Sequence, residues 1–122
     1  MIERFEDLDS WKEARALTQK VYKLTSPNGS FKDFSLKDQL QRAAVSVMGN
    51  IAEGFESHRD KEFIKFLEYA KRSSGEVQSH LYVALDQGYI TKNQFEEVYN
   101  QAQSCKKLCI GMIRYLQRKE EI

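Results

Sequence analysis

Apolar side chains recur at steps of three and four through four long runs of this 122-residue chain, and a single proline, Pro27, stands in the whole sequence. Such steps stack side chains on one face of a helix, and scarce proline leaves helices unbroken. The two-residue alternation of strands is absent. In the first run Trp11, Ala14, Leu17, Val21 and Leu24 share a face, and Ser10 precedes Glu13 at capping-box spacing. The turn-rich cluster SPNGS follows, inside a linker (26–35) whose Phe31 and Phe34 are expected to anchor it on the body.

The second helix is expected from Ser35, with Asp38 at its third position, to about Ser57. The third should run from Asp60 to Gln87, with Phe63, Leu67, Ala70, Ser74, Val77, Leu81 and Ala84 along one stripe. Gly88 suits a left-handed cap, with Tyr89 and Ile90 folding back onto the helix end. The fourth opens at Thr91, again at capping-box spacing from Gln94, and carries Phe95, Val98, Ala102, Cys105, Cys109, Met112 and Leu116. Short connections at 57–60 and 88–91 make neighbours antiparallel. The predicted fold is therefore all-α, an antiparallel up-down-up-down four-helix bundle forming one domain over residues 1–122.

Hydrophobic residues at 41% and charged ones at 30% suit a soluble globular domain with a real core rather than a disordered tail. A net charge of +1 excludes binding of nucleic acid by bulk charge, so any such binding needs a local patch. The N-terminal MIERFEDLDS lacks the apolar run of a secretory signal, and no segment reaches the ~20 apolar residues of a membrane span. Cys105 and Cys109 lie one helical turn apart, about 6 Å at Cβ, too far for a disulfide. Reduced thiols and a cytoplasmic location are expected.

The stretch QLQRAAVSVMGNIAEGFE (39–56) is crowded with small residues and carries few charges. On a helical wheel Leu36, Leu40, Ala43, Ala44, Val45, Val47, Met48, Ile51, Ala52 and Phe55 cover roughly 200°, twice the arc one core face needs. Tyr99, Leu108, Ile110, Ile113 and Tyr115 widen the fourth helix similarly. Two over-wide helices predict a second apolar contact, with another copy of the chain. The alternative is that the second helix is simply the most central one of a monomer.

The string QLQRAAVSVMGNIAEG, with FEDLDSWKEA upstream and YAKRSSGEVQSHLYVALDQGYI and IRYL downstream, resembles the four-helix-bundle proteins encoded in intervening sequences of bacterial 23S ribosomal RNA genes. That family is similar to the accessory variability determinant of diversity-generating retroelements. The resemblance covers nearly the whole chain. It implies a homopentameric barrel of bundles associated with nucleic acid or ribonucleoprotein, and it implies no catalytic activity.

Arg42, Asn50 and Glu53 match recurrent polar positions of the family motif and fall on one narrow strip of the second helix. They read either as a ligand contact or as a structural polar network with Ser73, Ser74 and Glu76 of the third helix. A strip hemmed by apolar residues favours the network, because partly buried charges persist when paired.

Chemistry-bearing patterns are sparse. A di-iron site needs inward Glu residues and two Glu-x-x-His pairs, whereas Glu76 and His80 stand four apart and no second pair exists. Cys105 and Cys109 fall on an apolar arc, where thiols pack as small hydrophobes. Ser57-His58-Arg59-Asp60 holds the letters of a hydrolase triad without its geometry, and Ser57 is expected to cap the third helix, with Asp60 completing the box. No glycine-rich phosphate loop occurs. No enzyme, cofactor or metal is expected.

The most suggestive feature is basic. Lys107, Arg114 and Arg118 lie within ~40° of one another on the fourth helix. No acidic residue occurs between Glu97 and Glu120, and Lys106 and Lys119 add charge. Repeated around a ring, such a stripe attracts phosphates; in a single chain it also suits the negative end of a helix dipole. Arg15, Lys71 and Arg72 are weaker candidates. Exposed Tyr or Trp for base stacking is not evident, so sequence-specific readout is not expected. The function predicted is non-enzymatic binding of RNA, DNA or a ribonucleoprotein partner through Lys107, Arg114, Arg118 and Lys106. The rival is a protein-interaction or structural module.

Overall fold

The computed structural model describes residues 1–26 and 31–120, so most of the SPNGS turn, with Pro27, lies outside the described residues. A single 3₁₀ turn, Phe5–Asp7, precedes four helices: α1 (Asp9–Leu24), α2 (Phe34–Glu56), α3 (Asp60–Asp86) and α4 (Lys92–Glu120). No strand occurs among the described residues. No helix is long and apolar enough to cross a membrane among them.

Each helix packs between two neighbours, α1 against α2 and α4, and α3 against α2 and α4. Cross-helix pairs give the directions. Lys119 at the end of α4 meets Asp60 at the start of α3 at 3.3 Å, and Gln41 early in α2 donates to Thr25 just past α1 at 3.0 Å. Gly54 near the end of α2 touches Phe63 and Phe66 near the start of α3. Neighbours are antiparallel, as in an up-down-up-down bundle.

Leu17, Leu40, Ile51, Leu67 and Leu81 are fully buried at its centre, each burial stabilising the fold by about 1.5–3 kcal/mol. Polar cross-links set the register between the helices. Thr18 lies 3.2 Å from the Ala44 carbonyl, Ser46 and Ser73 hydroxyls are 3.0 Å apart, and Gln78 donates to Gln103 at 2.9 Å. Gln101 closes the ring: it accepts from Lys20 at 2.8 Å and donates to the Glu13 carbonyl at 3.1 Å.

Two helix ends follow the spacing rules. Thr91 and Gln94 exchange the reciprocal bonds of a capping box, at 2.8 and 3.1 Å. Gly88 takes φ +76, and the Tyr89 amide reaches back to the Ala84 carbonyl at 2.9 Å.

Three caps differ from the spacing. Helix α1 starts two residues early because Leu8, buried in the core, serves as its N-cap in place of Ser10, which carries Ser10 into the first turn and inward. Asp33 rather than Ser35 caps α2, its Oδ1 accepting from the Leu36 amide at 3.0 Å. Ser57 closes α2 instead of opening α3: its hydroxyl donates to the Gly54 carbonyl at 2.6 Å, and Arg59 is the N-cap of α3. Of the two linker aromatics only Phe31 is an anchor, buried against Tyr89 at 5.1 Å between ring centroids; Phe34 is 81% exposed.

The wide apolar arc of α2 is largely consumed within one chain. With α1 on one side and α3 on the other, the helix buries Ala43, Ala44, Val47 and Ile51 and half-buries Met48, Ala52 and Phe55, leaving only Val45 of the arc exposed. On α4, Ile113 is buried, Tyr99, Leu108 and Ile110 are half-buried, and Tyr115 is exposed. A helix with two partners needs a far wider stripe than one lying on a flat core. The single chain therefore leaves less apolar surface uncovered than the wheel implied.

Candidate nucleic-acid interface and the adjoining cleft

The C-terminal half of α4 bears Lys107, Arg114 and Arg118 as exposed side chains, and none has a carboxylate partner among the described residues. The other two cations of this half are less free, one paired and one half-buried. Lys119 pairs with Asp60. Lys106 is half-buried and lies across Gly75 of α3, where the missing side chain makes room: a Cβ there would sit 3.8 Å from Nζ. The predicted interface thus divides into three free cations and one lysine held at the α3–α4 seam. Of the weaker candidates, Arg15 rides over Trp11 at 5.8 Å, Lys71 pairs with Glu68 at 3.0 Å, and Arg72 is exposed.

The four residues expected to form a polar network are not brought together. Arg42 turns outward to Asp38 on its own helix at 2.8 Å. Glu76 bonds His80, also on its own helix, at 3.4 Å; Glu76 is exposed and His80 is half-buried. Glu53 is exposed. Asn50 alone reaches α3, through Ser46: its amide donates to the Ser46 hydroxyl at 2.9 Å, and that hydroxyl meets Ser73. Short hydroxyls span the close α2–α3 seam, whereas the longer charged side chains of the strip find water. Ser74 is buried and bonds the Ala70 carbonyl of its own helix at 3.0 Å.

Burial raises the thiols of both Cys105 and Cys109 from the ordinary 9.0 to about 12; the neighbouring thiol and Glu13 add to the effect at Cys105, and Glu68 adds to it at Cys109. Protonated, core-packed thiols are poor nucleophiles and poor metal ligands. Among the described residues no three of His, Cys, Asp and Glu gather as metal ligands.

A feature that no local pattern signalled lies at the bundle end where α1 and α3 begin and α2 and α4 finish. A cleft of about 1040 Å³ opens there, floored by Leu8, Phe55, Phe63, Leu108, Met112 and Leu116. Ser10, only 4% exposed, lines it, and its hydroxyl finds no hydrogen-bond partner within the protein. Gly111 keeps the α4 wall low, and Gly54 lets α2 close on α3 beside the cleft. The α2–α3 turn forms one lip, with His58 held at φ +56, a conformation L-residues rarely adopt. Lys107 and Tyr115 reach the cleft from α4, so the basic surface and the cleft adjoin. Tyr115 is 52% exposed, and Tyr22, Tyr69 and Tyr82 are exposed as well, contrary to the expectation that no Tyr or Trp is exposed for base stacking. On a wheel tyrosine counts as apolar, and only packing decides which rings are left outside.

A family model described as 23S rRNA-intervening sequence protein matches residues 6–111. The chain belongs to that family. The match takes in all of α1 to α3 and most of α4, including Lys106 and Lys107, while Arg114 and Arg118 fall beyond it. A solved protein of unknown function from the S23 ribosomal protein family of Bacteroides thetaiotaomicron is similar in fold to this chain. The two share 24% identity over 85% of this chain and 97% of that chain, with a TM-score of 0.78. No curated protein matches the chain.

Proposed function

We propose that this member of the 23S rRNA-intervening sequence family is a non-enzymatic, self-associating scaffold that binds nucleic acid, free or within a ribonucleoprotein, through the C-terminal half of α4. The observation that carries the reading is the row of three exposed, unpaired cations, Lys107, Arg114 and Arg118, along one helix face. Phosphate binding by Lys and Arg releases counterions, so the logarithm of affinity should fall with that of salt by about 0.7–0.9 per phosphate neutralised. Three cations predict a slope of about −2 to −3 for each subunit engaged. Assembly into a homo-oligomer, a pentamer by family resemblance, would multiply that field. Its contact surface would include the exposed α2 strip, where Val45 and Gly49 lie between Arg42 and Glu53 and no atom comes within 4 Å of a Cβ built at Gly49.

The test is RNA and DNA affinity across a salt series, with native mass measured in parallel. Charge reversal at Lys107, Arg114 and Arg118 should flatten the slope and weaken binding. Absence of binding at low salt, or a salt-independent signal, would defeat the reading. It would favour the second one, a protein-interaction or structural module resting on the exposed apolar side chains Val45, Tyr69, Tyr82 and Val83.

A further inference from the structure

The cleft at the α4 end shares only Lys107 with the row of free cations, and it carries the marks of a built site. It is floored by apolar side chains, and one buried hydroxyl, that of Ser10, is left without a partner on its wall. A buried polar group without a partner is costly; the Ser10 hydroxyl is shielded from solvent, so an occupant recovers that cost by displacing a neighbouring side chain to reach it.

Charge decides what kind of occupant fits. Asp7 is paired with Arg4 at 3.7 Å and Asp60 with Lys119 at 3.3 Å. Among the side chains, what remains around the cleft is Glu3 and Asp9 against Arg59 and Lys107, two of each sign. An anion gains little by entering. A neutral, flat, largely apolar body with hydrogen-bonding edges fits better, provided its charged portion stays outside. The cations that could hold such a portion are next door: Arg114 and Arg118 flank Tyr115 on α4, Lys107 reaches both the cleft and the stripe, and the exposed Tyr115 ring stands between the two.

We propose that the cleft receives an unstacked nucleobase of a single strand whose phosphates lie on Lys107, Arg114 and Arg118, with Tyr115 as the stacking ring at its mouth and Ser10 as the polar partner within. This rests on the α4 reading above and narrows it to single-stranded nucleic acid. A duplex keeps its bases stacked and offers phosphates alone, whereas a stacked base adds affinity that tolerates any sequence.

The test compares three labelled probes by fluorescence anisotropy at low salt: a short adenine-rich single-stranded RNA, its duplex, and a strand of equal length with abasic sites in place of the bases. The base-bearing strand should bind about tenfold tighter than the duplex or the abasic strand, from one stacked base. Two variants locate the effect. Tyr115→Ala should cancel the preference, and so should Gly111→Leu, which narrows the cleft from an open helix position where a Cβ meets nothing within 4 Å. Equal affinity for all three probes, or a preference that survives Gly111→Leu, overturns the base pocket; if charge reversal at Lys107, Arg114 and Arg118 still weakens every probe, the phosphate stripe stands without it. Failure of all three probes to bind removes both.

Discussion

Gly54 sets how closely α2 and α3 approach where they frame the cleft, and replacing it by alanine tests that directly. A Cβ there would lie 2.8 Å from Phe66 Cβ, 3.0 Å from Phe63 Cδ1 and 3.3 Å from Phe63 Cα. The first and third of these are not the far ends of flexible side chains, so the two helices themselves must move apart. Overpacking of this kind costs about 1–3 kcal/mol. Alanine also gains about 0.8–1 kcal/mol over glycine inside a helix, so the net change is a loss of roughly 0–2 kcal/mol. Gly111→Ala is the control, because nothing lies within 4 Å of its Cβ and only the helix term remains. That variant should stabilise by about 1 kcal/mol. The separation between the two variants, about 1–3 kcal/mol, isolates the steric term. Urea unfolding at fixed protein concentration measures it, with the denaturant slope required to stay constant so that midpoints translate into stability. If Gly54→Ala stabilises as much as Gly111→Ala, the close approach is absent in solution and the geometry assigned to this end of the bundle is wrong.

Two further outcomes follow from the helix ends and the core. Asp33→Ala should cost about 1 kcal/mol of stability through loss of the α2 cap, while Ser35→Ala should change it little; equal losses in thermal melts would return the cap to Ser35. The thiols of Cys105 and Cys109 should resist a thiol reagent in the folded protein and react once it is denatured. Because folding raises both from 9.0 to about 12, the unfolded chain gives up these protons first. Their contribution to stability is whole below pH 9 and declines between about 9 and 12 as pH rises. The double variant Cys105→Ala, Cys109→Ala should show a flatter fall over that window in denaturant titrations at stepped pH.

Helix number, connection sites and most of the core were legible in the residues. Steps of three and four name Leu17, Leu67, Val77 and Leu81 as inward, and Gly88 and the Thr91–Gln94 box mark their helix ends, because those signals depend only on residues within a turn or two. The same locality explains the failures. Which residue caps α1 or α2 depends on where the preceding segment is pulled, and buried Leu8 ahead of α1 and buried Phe31 ahead of α2 do that pulling; whether Ser57 closes one helix or opens the next depends likewise on how the α2–α3 turn is held. Arg42 and Glu76 sat on plausible faces, but which polar side chains meet across a seam depends on helix separation, and only Asn50, Ser46 and Ser73 are short enough for this one.

For the candidate site the division runs along the same line. The basic stripe of α4 is a property of one helix, so charge order along the chain was enough to find Lys107, Arg114 and Arg118. The cleft is assembled from residues as distant as Ser10, Gly54 and Leu116, and no periodicity within one helix carries the volume left between four helix ends. Sequence alone determined that these side chains would form four amphipathic helices with a positive edge, since that is decided by neighbours along the backbone. Tertiary packing decided which tyrosines face outward, which lysines remain free, and that a buried hydroxyl borders an open pocket, since each depends on distances between segments far apart in the chain.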